Sequence, residues 1–299
     1  MTPTLRHRLE YGAYRALRGI LTLLPESVAR ALGSALGWFA GSVVGIRRGV
    51  VMENLEIAFP GMPPGEARRL ARRSWMHLGR EAVATFRLAA ETPDSIRDRI
   101  VEWEGWDEFE ARVAEGHGAI AVSGHFGNWE MAGAAVAAMG IPVDAVATRQ
   151  RNPLFDHDLV ETRGRLGMNI VVRDEAPRRI LRGLRAGRVA GIVGDQNVAV
   201  GGILVDFMDR PATTARGAAV FALRTGAPLF AGHVVAVPGS RWRYRLAVRE
   251  VTIESSGDFD EDVRRLTQAH SDLLEQAVRE HPEQYFWPHK RWKVRTTST

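Results

Sequence analysis

The stretch that most constrains the fold of this chain runs from Ala119 to Ala132 and reads AIAVSGHFGNWEMA. Its first four residues, Ala119–Val122, form a short apolar run that predicts a buried strand. The run ends at Ser123-Gly124, and a helical pattern over Trp129–Met139 follows, with Asn128 as its predicted N-cap. A buried strand that passes through a short loop into a helix is typical of an α/β protein.

The loop between this strand and helix holds His125, and Glu130 follows it by five residues. Side chains five residues apart on one regular helix point about 140° apart. If His125 lies on the loop and Glu130 in the first helical turn, the two can meet. The carboxylate would then fix the imidazole tautomer and stabilise the imidazolium that forms when His125 takes a proton. On spacing alone, a hydrogen-bonded core histidine stays the alternative.

The position of this loop favours the catalytic interpretation. The carboxyl end of a strand is where open α/β sheets place their binding sites. Gly124, directly before His125, lets the backbone come close to a ligand. The sequence therefore predicts a general base at the end of the first buried strand.

Strand and helix patterns alternate after this stretch. The predicted strands are Pro142–Ala147, Asn169–Val172, Val189–Val193, a short extended Ile203–Phe207, and a hairpin of Leu229–Val237 with Tyr244–Val251. The predicted helices are Leu154–Leu166, Pro177–Arg185, Thr214–Thr225 and Glu261–Glu280. This alternation predicts an α/β fold with a mostly parallel central sheet flanked by helices.

The N-terminal part has a different character. Leu5–Leu24 is amphipathic, and Ala31–Ile46 is a run of sixteen residues without a charge, ending at Arg47-Arg48. A spanning helix needs about 20 apolar residues, so the run is short, and its small residues suit packing on another helix as well as on lipid. We predict that residues 1–48 are membrane-associating helices and 49–299 the enzyme domain. A buried soluble helix is the alternative, and Arg47-Arg48 favours a cytoplasmic exit from the membrane.

Composition and missing motifs exclude several classes of chemistry. The chain has no cysteine, which excludes disulfides, thiolate metal sites and cysteine nucleophiles. It lacks a Gly-x-Ser-x-Gly elbow, a phosphate loop, a dinucleotide fingerprint and a His-Glu-x-x-His motif, and its scattered histidines predict no metal site. The net charge of +5 favours an acidic partner, namely anionic lipid, an acidic carrier protein or nucleic acid.

The segment from His125 to Glu130 resembles the His-x4-Asp/Glu signature of glycerolipid-type acyltransferases. Its wording is similar to the bacterial lipid A biosynthesis lauroyl/myristoyl acyltransferase family. Two departures are Asn197, where many members have a second acid, and Arg149, which lacks a preceding Tyr. Further blocks similar to that family occur in order, namely Asn54-Leu55 with Ala58-Phe59-Pro60, Arg151–Asp156, Gly194-Asp195-Gln196, Pro211–Thr214, Thr225–Pro228 and Pro282–Trp287.

This resemblance implies transfer of a fatty acyl chain from acyl carrier protein to a hydroxyl of a lipid A precursor. It implies a protein at the cytoplasmic face of the inner membrane, peripheral or anchored by a single span. In that reading His125 is the general base, Glu130 orients it, and N–H groups at the start of the helix after Asn128 hold the oxyanion. No cofactor, metal or nucleic acid is implied, and acyl-CoA is the alternative donor.

The predicted substrate-binding residues lie around the same end of the sheet. The resemblance implies that an arginine after the Pro142–Ala147 strand and the acid matching Asp195 matter for activity, without deciding between Arg163 and Arg165. The full set is Gly124, Asn128, Arg149, Arg163, Arg165 and Asp195.

Three other functions stay open from the sequence. Phosphatidylinositol mannoside acyltransferases resemble the same family, although Glu130 rather than Asp favours lipid A. A thioesterase or lipase would use the same site with water as the acceptor. A non-catalytic basic module that binds membrane or nucleic acid is indicated by the alternation of aromatic and basic residues in Trp287–Arg295.

Overall fold

The structure is a computed structural model that describes residues 3–198 and 201–293. The first two residues of the predicted segment 1–48 and the last six of the predicted domain 49–299 lie outside these ranges. The helices are α1 Leu5–Leu23, α2 Glu26–Trp38, α3 Arg48–Ala58, α4 Pro64–Arg87, α5 Pro93–Arg99, α6 Trp106–Ala114, α7 Trp129–Ala138, α8 Pro153–Arg165, α9 Ala176–Arg185, α10 Gly217–Thr225 and α11 Phe259–Glu280. The strands are β1 Ile100–Glu104, β2 Ala119–Ser123, β3 Val143–Ala147, β4 Met168–Val172, β5 Val189–Val193, β6 Gly202–Phe207, β7 Arg210–Ala215, β8 Leu229–Ala236 and β9 Tyr244–Glu250.

Seven of these strands form one sheet in the order β1-β9-β8-β2-β5-β3-β4. The pairings are parallel except between β8 and β9, which form the predicted antiparallel hairpin. The prediction of a mostly parallel sheet flanked by helices is therefore confirmed. Strand β2, at the centre, has both neighbours parallel to it, and its Ala119, Ile120 and Val122 are all buried. A strand covered on both faces reads as a continuous apolar run.

Alternate residues of the central strands enter different cores. Ala119 and Ala121 of β2 pack in the core with α4, α5, α6 and α7, whereas Ile120 and Val122 pack in the core with α9, α10 and α11. Successive strand residues point to opposite faces, so these helices form a layer on each side of the sheet. The carboxyl ends of the central strands lead into loops.

The region before α10 differs from the prediction of a helix over Thr214–Thr225. Residues Arg210–Ala215 form β7, which pairs antiparallel with β6 in a separate two-stranded sheet, and α10 begins only at Gly217. Thr213 and Thr214 are β-branched, which favours the pleated strand over the helix. The apolar spacing predicted the helix α10 but not the residue at which it begins.

The uncharged N-terminal run forms most of α2 and a π-helical turn, Phe39–Val44. One side of α2 packs tightly on α4: a Cβ on Gly37 would lie 2.0 Å from the carbonyl oxygen of Trp75. The opposite side of α2 carries exposed apolar residues such as Leu36, and Val43 of the π-helical turn is also exposed. The small residues therefore serve helix packing, and both membrane association and the boundary at residue 48 stay predictions.

Taken singly, no helix within residues 3–198 and 201–293 is long and apolar enough to cross a bilayer. The segments Glu26–Val44 and Arg48–Ala58 reach that length and composition only together, with a bend of 96° between them.

Candidate active site

Two neighbouring strands bring His125 and Asp195 together. β2 and β5 pair in parallel with Ser123 opposite Val193, and each strand is followed by a glycine and then by the polar residue. The Gly194 N–H donates to the Ser123 carbonyl at 2.9 Å, so the register continues past the strand ends. The His125 Nδ1 and the Asp195 Oδ1 lie 2.6 Å apart, a short charge-assisted hydrogen bond.

The surroundings of Asp195 keep its carboxyl group ionised. Burial acts to raise its pKa. The charge of His125, hydrogen bonds from the His125 ring and backbone, and the charge of Arg291 together lower the pKa below the ordinary 3.8. Arg291 is itself only 1 % exposed and donates to the Thr213 carbonyl and the Thr214 hydroxyl. An ionised carboxylate can only accept a hydrogen bond, so His125 Nδ1 carries the proton and Nε2 is the basic nitrogen.

The ring of His125 is held in place and remains accessible. It packs edge-on against Trp129, with ring centroids 5.0 Å apart, and lies 6.1 Å from the ring of Phe286. The His125 carbonyl accepts the Phe286 N–H at 3.0 Å, which fixes the loop from the C-terminal segment. The His125 side chain is 22 % exposed. A fixed, basic and accessible imidazole can take a proton from a bound hydroxyl.

An apolar cavity of about 130 Å³ lies between α7 and the sheet. Small residues keep it open, including Ala121, Ala145 and Gly191 from the strands and Gly133 from α7. Trp129 lines the cavity and also contacts His125, so the basic nitrogen and the apolar space are one side chain apart. This combination of an apolar slot and a few polar groups suits a ligand with a hydrocarbon chain.

Glu130 does not partner His125, which corrects the prediction from their spacing. Its carboxylate forms a two-point ion pair with Arg163 of α8, with Nη2–Oε1 at 2.6 Å and Nε–Oε2 at 3.0 Å. Both side chains are less than one-fifth exposed, and both line the apolar cavity. The guanidinium fork satisfies the two carboxylate oxygens of Glu130, so the imidazole is oriented by Asp195 instead.

Comparison with known proteins shows the family of the chain. The sequence profile described as "Bacterial lipid A biosynthesis acyltransferase" matches residues 2–294. The chain belongs to this family. The resemblance in the sequence is thereby confirmed, and the protein is an acyltransferase.

Similar proteins include enzymes named for lipid A biosynthesis and an enzyme named for phosphatidylinositol mannoside. The "Lipid A biosynthesis palmitoleoyltransferase" of Escherichia coli K12 is 27 % identical over 285 residues, which cover 93 % of this chain and 90 % of that protein. The "Lipid A biosynthesis lauroyltransferase" of the same organism is 28 % identical with the same shares of the two chains. The "Phosphatidylinositol mannoside acyltransferase" of Mycolicibacterium smegmatis is 26 % identical, again over 93 % of this chain and 90 % of that protein.

Three arginines of this acyltransferase are predicted to bind substrate, and within the described residues only Arg163 lines the cavity. Arg165 is exposed near the end of α8. Arg149 is 68 % exposed and lies 3.8 Å from Glu175. The structure therefore puts Arg163 rather than Arg165 at the cavity. Substrate binding by Arg149 and Arg165 stays a prediction.

Gly124 and Asn128 both have structural contacts, and their predicted contacts with substrate stay predictions. A Cβ on Gly124 would lie 2.6 Å from Leu274 of α11, so the glycine admits that helix. Asn128 is buried, and its Oδ1 caps α7 through the Met131 N–H, as its predicted role of N-cap requires. Its Nδ2 donates to Glu81 Oε2 at 2.9 Å and to the Tyr244 hydroxyl at 3.3 Å, so both amide N–H groups are used within the protein.

The N–H groups at the start of α7 are partly used. Asn128 N–H donates to Val234 and Met131 N–H to the Asn128 side chain. Within residues 3–198 and 201–293, the N–H groups of Trp129 and Glu130 in this turn have no hydrogen-bond acceptor. In the same ranges no group of three metal-ligating side chains lies close enough to hold an ion.

The aromatic and basic alternation near the C-terminus is part of the core. Trp287 is fully buried and Arg291 is 1 % exposed beside Asp195, whereas residues 294 and 295 of the predicted stretch lie outside the described ranges. The expectation that Trp287 and Arg291 form an exposed binding surface is wrong. Sequence reasoning missed that Arg291 supports Asp195, and also that Asp195 orients His125.

Proposed function

We propose that this acyltransferase moves a fatty acyl chain from acyl carrier protein to a hydroxyl of a lipid A precursor, with His125 as general base oriented by Asp195. The hydrogen bond of 2.6 Å between His125 Nδ1 and Asp195 Oδ1 carries this proposal. It leaves Nε2 free to accept a proton beside an apolar cavity, and acyl transfer requires that combination. The family and the two lipid A relatives supply the substrate class.

The proposed reaction has two proton transfers, both through His125. His125 Nε2 takes the proton of the acceptor hydroxyl, whose oxygen attacks the thioester carbonyl of the donor. The tetrahedral intermediate collapses, the carbon–sulfur bond breaks, and the imidazolium returns its proton to the thiolate. The products are an ester and a free thiol, and the buried charge of Asp195 stabilises the imidazolium between the two transfers.

Two sets of donors can act on the oxyanion. The Trp129 and Glu130 N–H groups at the start of α7 lie at the positive end of the helix dipole, which favours a negative oxygen there. Arg163, held by Glu130 at the cavity, brings a cation that is fixed before the substrate arrives. Glu130 is then a positioning residue for Arg163.

The apolar cavity is proposed to receive the donor's acyl chain. Its lining between α7 and the sheet is mostly apolar, which suits a methylene chain better than a sugar. The thioester would then sit at the Trp129 end, within reach of His125. No cofactor takes part, and acyl-CoA is the second donor to test.

We place the enzyme at the cytoplasmic face of the inner membrane. Residues on α1, α2 and the π-helical turn expose a series of large apolar side chains, including Ile20 at 58 %, Leu36 at 50 % and Val44 at 59 %. Such contiguous apolar surface is uncommon on proteins that stay in water. A helical pair lying on the bilayer, or anchored by the bent segment, would admit a lipid acceptor from the membrane.

A mannosylated phosphatidylinositol is the second candidate acceptor, because a protein named for that activity matches this chain over the same length as the lipid A enzymes. The test is transfer of radiolabelled acyl groups from acyl carrier protein to both acceptors, with acyl-CoA as a parallel donor. Wild type is compared with His125→Ala, each checked for folding by circular dichroism. Label on the lipid A precursor that disappears in His125→Ala supports the proposal.

The other outcomes are equally informative. Transfer to the mannosylated lipid alone keeps the mechanism and changes the acceptor. Release of free fatty acid at a rate that no acceptor alters identifies a hydrolase. Transfer that survives His125→Ala overturns the proposed base.

A further inference from the structure

A second cavity of about 590 Å³ lies on the outer side of α4, at a distance in sequence from the catalytic loop. Its walls are the π-helical turn Phe39–Val44, the start of α3 and the first half of α4. We name this space the arginine groove, after Arg48, Arg68, Arg69 and Arg72, which line it. The mechanism proposed above uses none of these residues.

The charge of the groove is entirely positive. All four arginines are exposed, and none of the ion pairs within residues 3–198 and 201–293 uses any of them. The other lining residues, among them Ser42, Met52 and Trp75, carry no charge. Four unpaired cations around one concave space repel one another, and a bound anion with several oxygens relieves that repulsion.

The immediate neighbours of the groove indicate where the anion comes from. Val43, Val44 and Ile46 follow Ser42 directly along the chain and are 55 %, 59 % and 46 % exposed. Apolar side chains that enter the acyl region, with arginines one layer above them at the depth of the headgroups, are the usual arrangement of a membrane-surface helix. Trp75 lines the groove and is a residue type that favours this interface.

We propose that the arginine groove binds the phosphate headgroup of an anionic membrane lipid and so docks the acyltransferase on an anionic bilayer. The guanidinium groups of Arg68 and Arg72, one helical turn apart on α4, grip the phosphate oxygens, and Arg48 closes the groove from α3. This inference depends on the proposed membrane location but not on the chemistry at His125. An acidic carrier protein would need the same charge, but the exposed aliphatic residues beside the groove favour a lipid surface.

The test measures binding of the full-length protein to sedimenting vesicles of phosphatidylcholine alone and of phosphatidylcholine with phosphatidylglycerol. The double variant Arg68→Gln/Arg72→Gln is compared with Arg178→Gln/Arg182→Gln. The control pair has the same spacing and exposure on α9, which packs against the opposite face of the sheet. Each basic residue at an anionic surface contributes a factor of about five in binding, so the groove variant should bind anionic vesicles roughly 30-fold more weakly. The control variant should bind them as the wild type does.

Four results would overturn the proposal. In the first, both double variants lose the same affinity for anionic vesicles, which indicates an effect of overall charge. In the second, the wild type binds neutral and anionic vesicles equally. Glycerol phosphate in solution displaces the wild type from anionic vesicles, which indicates a site for a soluble phosphate. The groove variant loses cross-linking to acyl carrier protein but keeps vesicle binding, which assigns the groove to the carrier. Acyl transfer to an acceptor in detergent, run on the same proteins, tests the catalytic proposal separately.

Discussion

Replacement of Asp195 by Asn is the sharpest test of the catalytic arrangement. The substitution keeps the size of the side chain and removes the charge that faces the His125 ring at 2.6 Å. When His125 takes a proton, the centres of the two charges lie about 4 Å apart, and at an effective dielectric constant of about 20 their attraction is about 4 kcal/mol. Loss of that term should slow the chemical step by about 10³-fold.

The assay is steady-state transfer from acyl carrier protein, with kcat and KM determined separately. We expect kcat to fall and KM to change little, because Asp195 is 5 % exposed and has no surface for the substrate. Asp144→Asn is the matched control: Asp144 is also a buried aspartate of this sheet, but it is bound to Asn169 and Arg188. It should lower stability and leave kcat within a few-fold of wild type.

If folded Asp195→Asn retains a kcat within about tenfold of wild type, Asp195 does not stabilise the imidazolium of His125 as proposed, because loss of its charge should lower kcat much further. A large loss in Glu130→Gln together with a small loss in Asp195→Asn would restore the pairing of His125 with Glu130 that the sequence suggests. Asp195 has a lowered pKa, so it stabilises the fold above about pH 3.8 and loses that contribution as the pH falls, and only Asp195→Asn removes this dependence.

Three further outcomes are expected. Gly127→Ala should cost well over the ~1–2 kcal/mol of a left-handed backbone, because its Cβ would lie 1.8 Å from the Val234 carbonyl oxygen. Gly140→Ala is the control: Gly140 has a similar φ but open space around it, so this variant should cost only that amount in urea unfolding. Equal losses of stability in the two variants would contradict the argument. Burial lowers the pKa of His77 to about 3 from 6.5, so His77 by itself should lower the unfolding free energy by about 1.4 kcal/mol for each pH unit between 6.5 and 3. His77→Gln should remove that share of the slope, and an unchanged slope would contradict the burial argument. Gly191→Val should fill the apolar cavity and shift competition between two acyl donors toward the shorter chain; an unchanged ratio would move the acyl site elsewhere.

The N-terminal helices show how one pattern supports two structures. The uncharged run of α2 suits lipid and suits a neighbouring helix, because small and apolar residues pack against both. In the fold its glycine side meets α4 and its other side is exposed. Periodicity defines which residues share a side of a helix, but it does not say what covers that side.

The sequence by itself determined the local features of the site. The strand, the loop with His125 and the helix capped by Asn128 follow from patterns within about a dozen residues, where apolar period and cap chemistry act directly. The family was also evident from blocks of sequence. The repeated order of strand, glycine and polar residue at His125 and Asp195 is a signal that both follow strand ends.

Only the tertiary structure decided which residues meet. Asp195 is 70 residues from His125 and reaches it because β5 lies next to β2, a choice made by long-range strand pairing and not by local propensity. Glu130, five residues from His125, turns instead to Arg163 on another helix. Local periodicity fixes the direction of a side chain relative to its own element, whereas the partner it finds depends on how the elements pack.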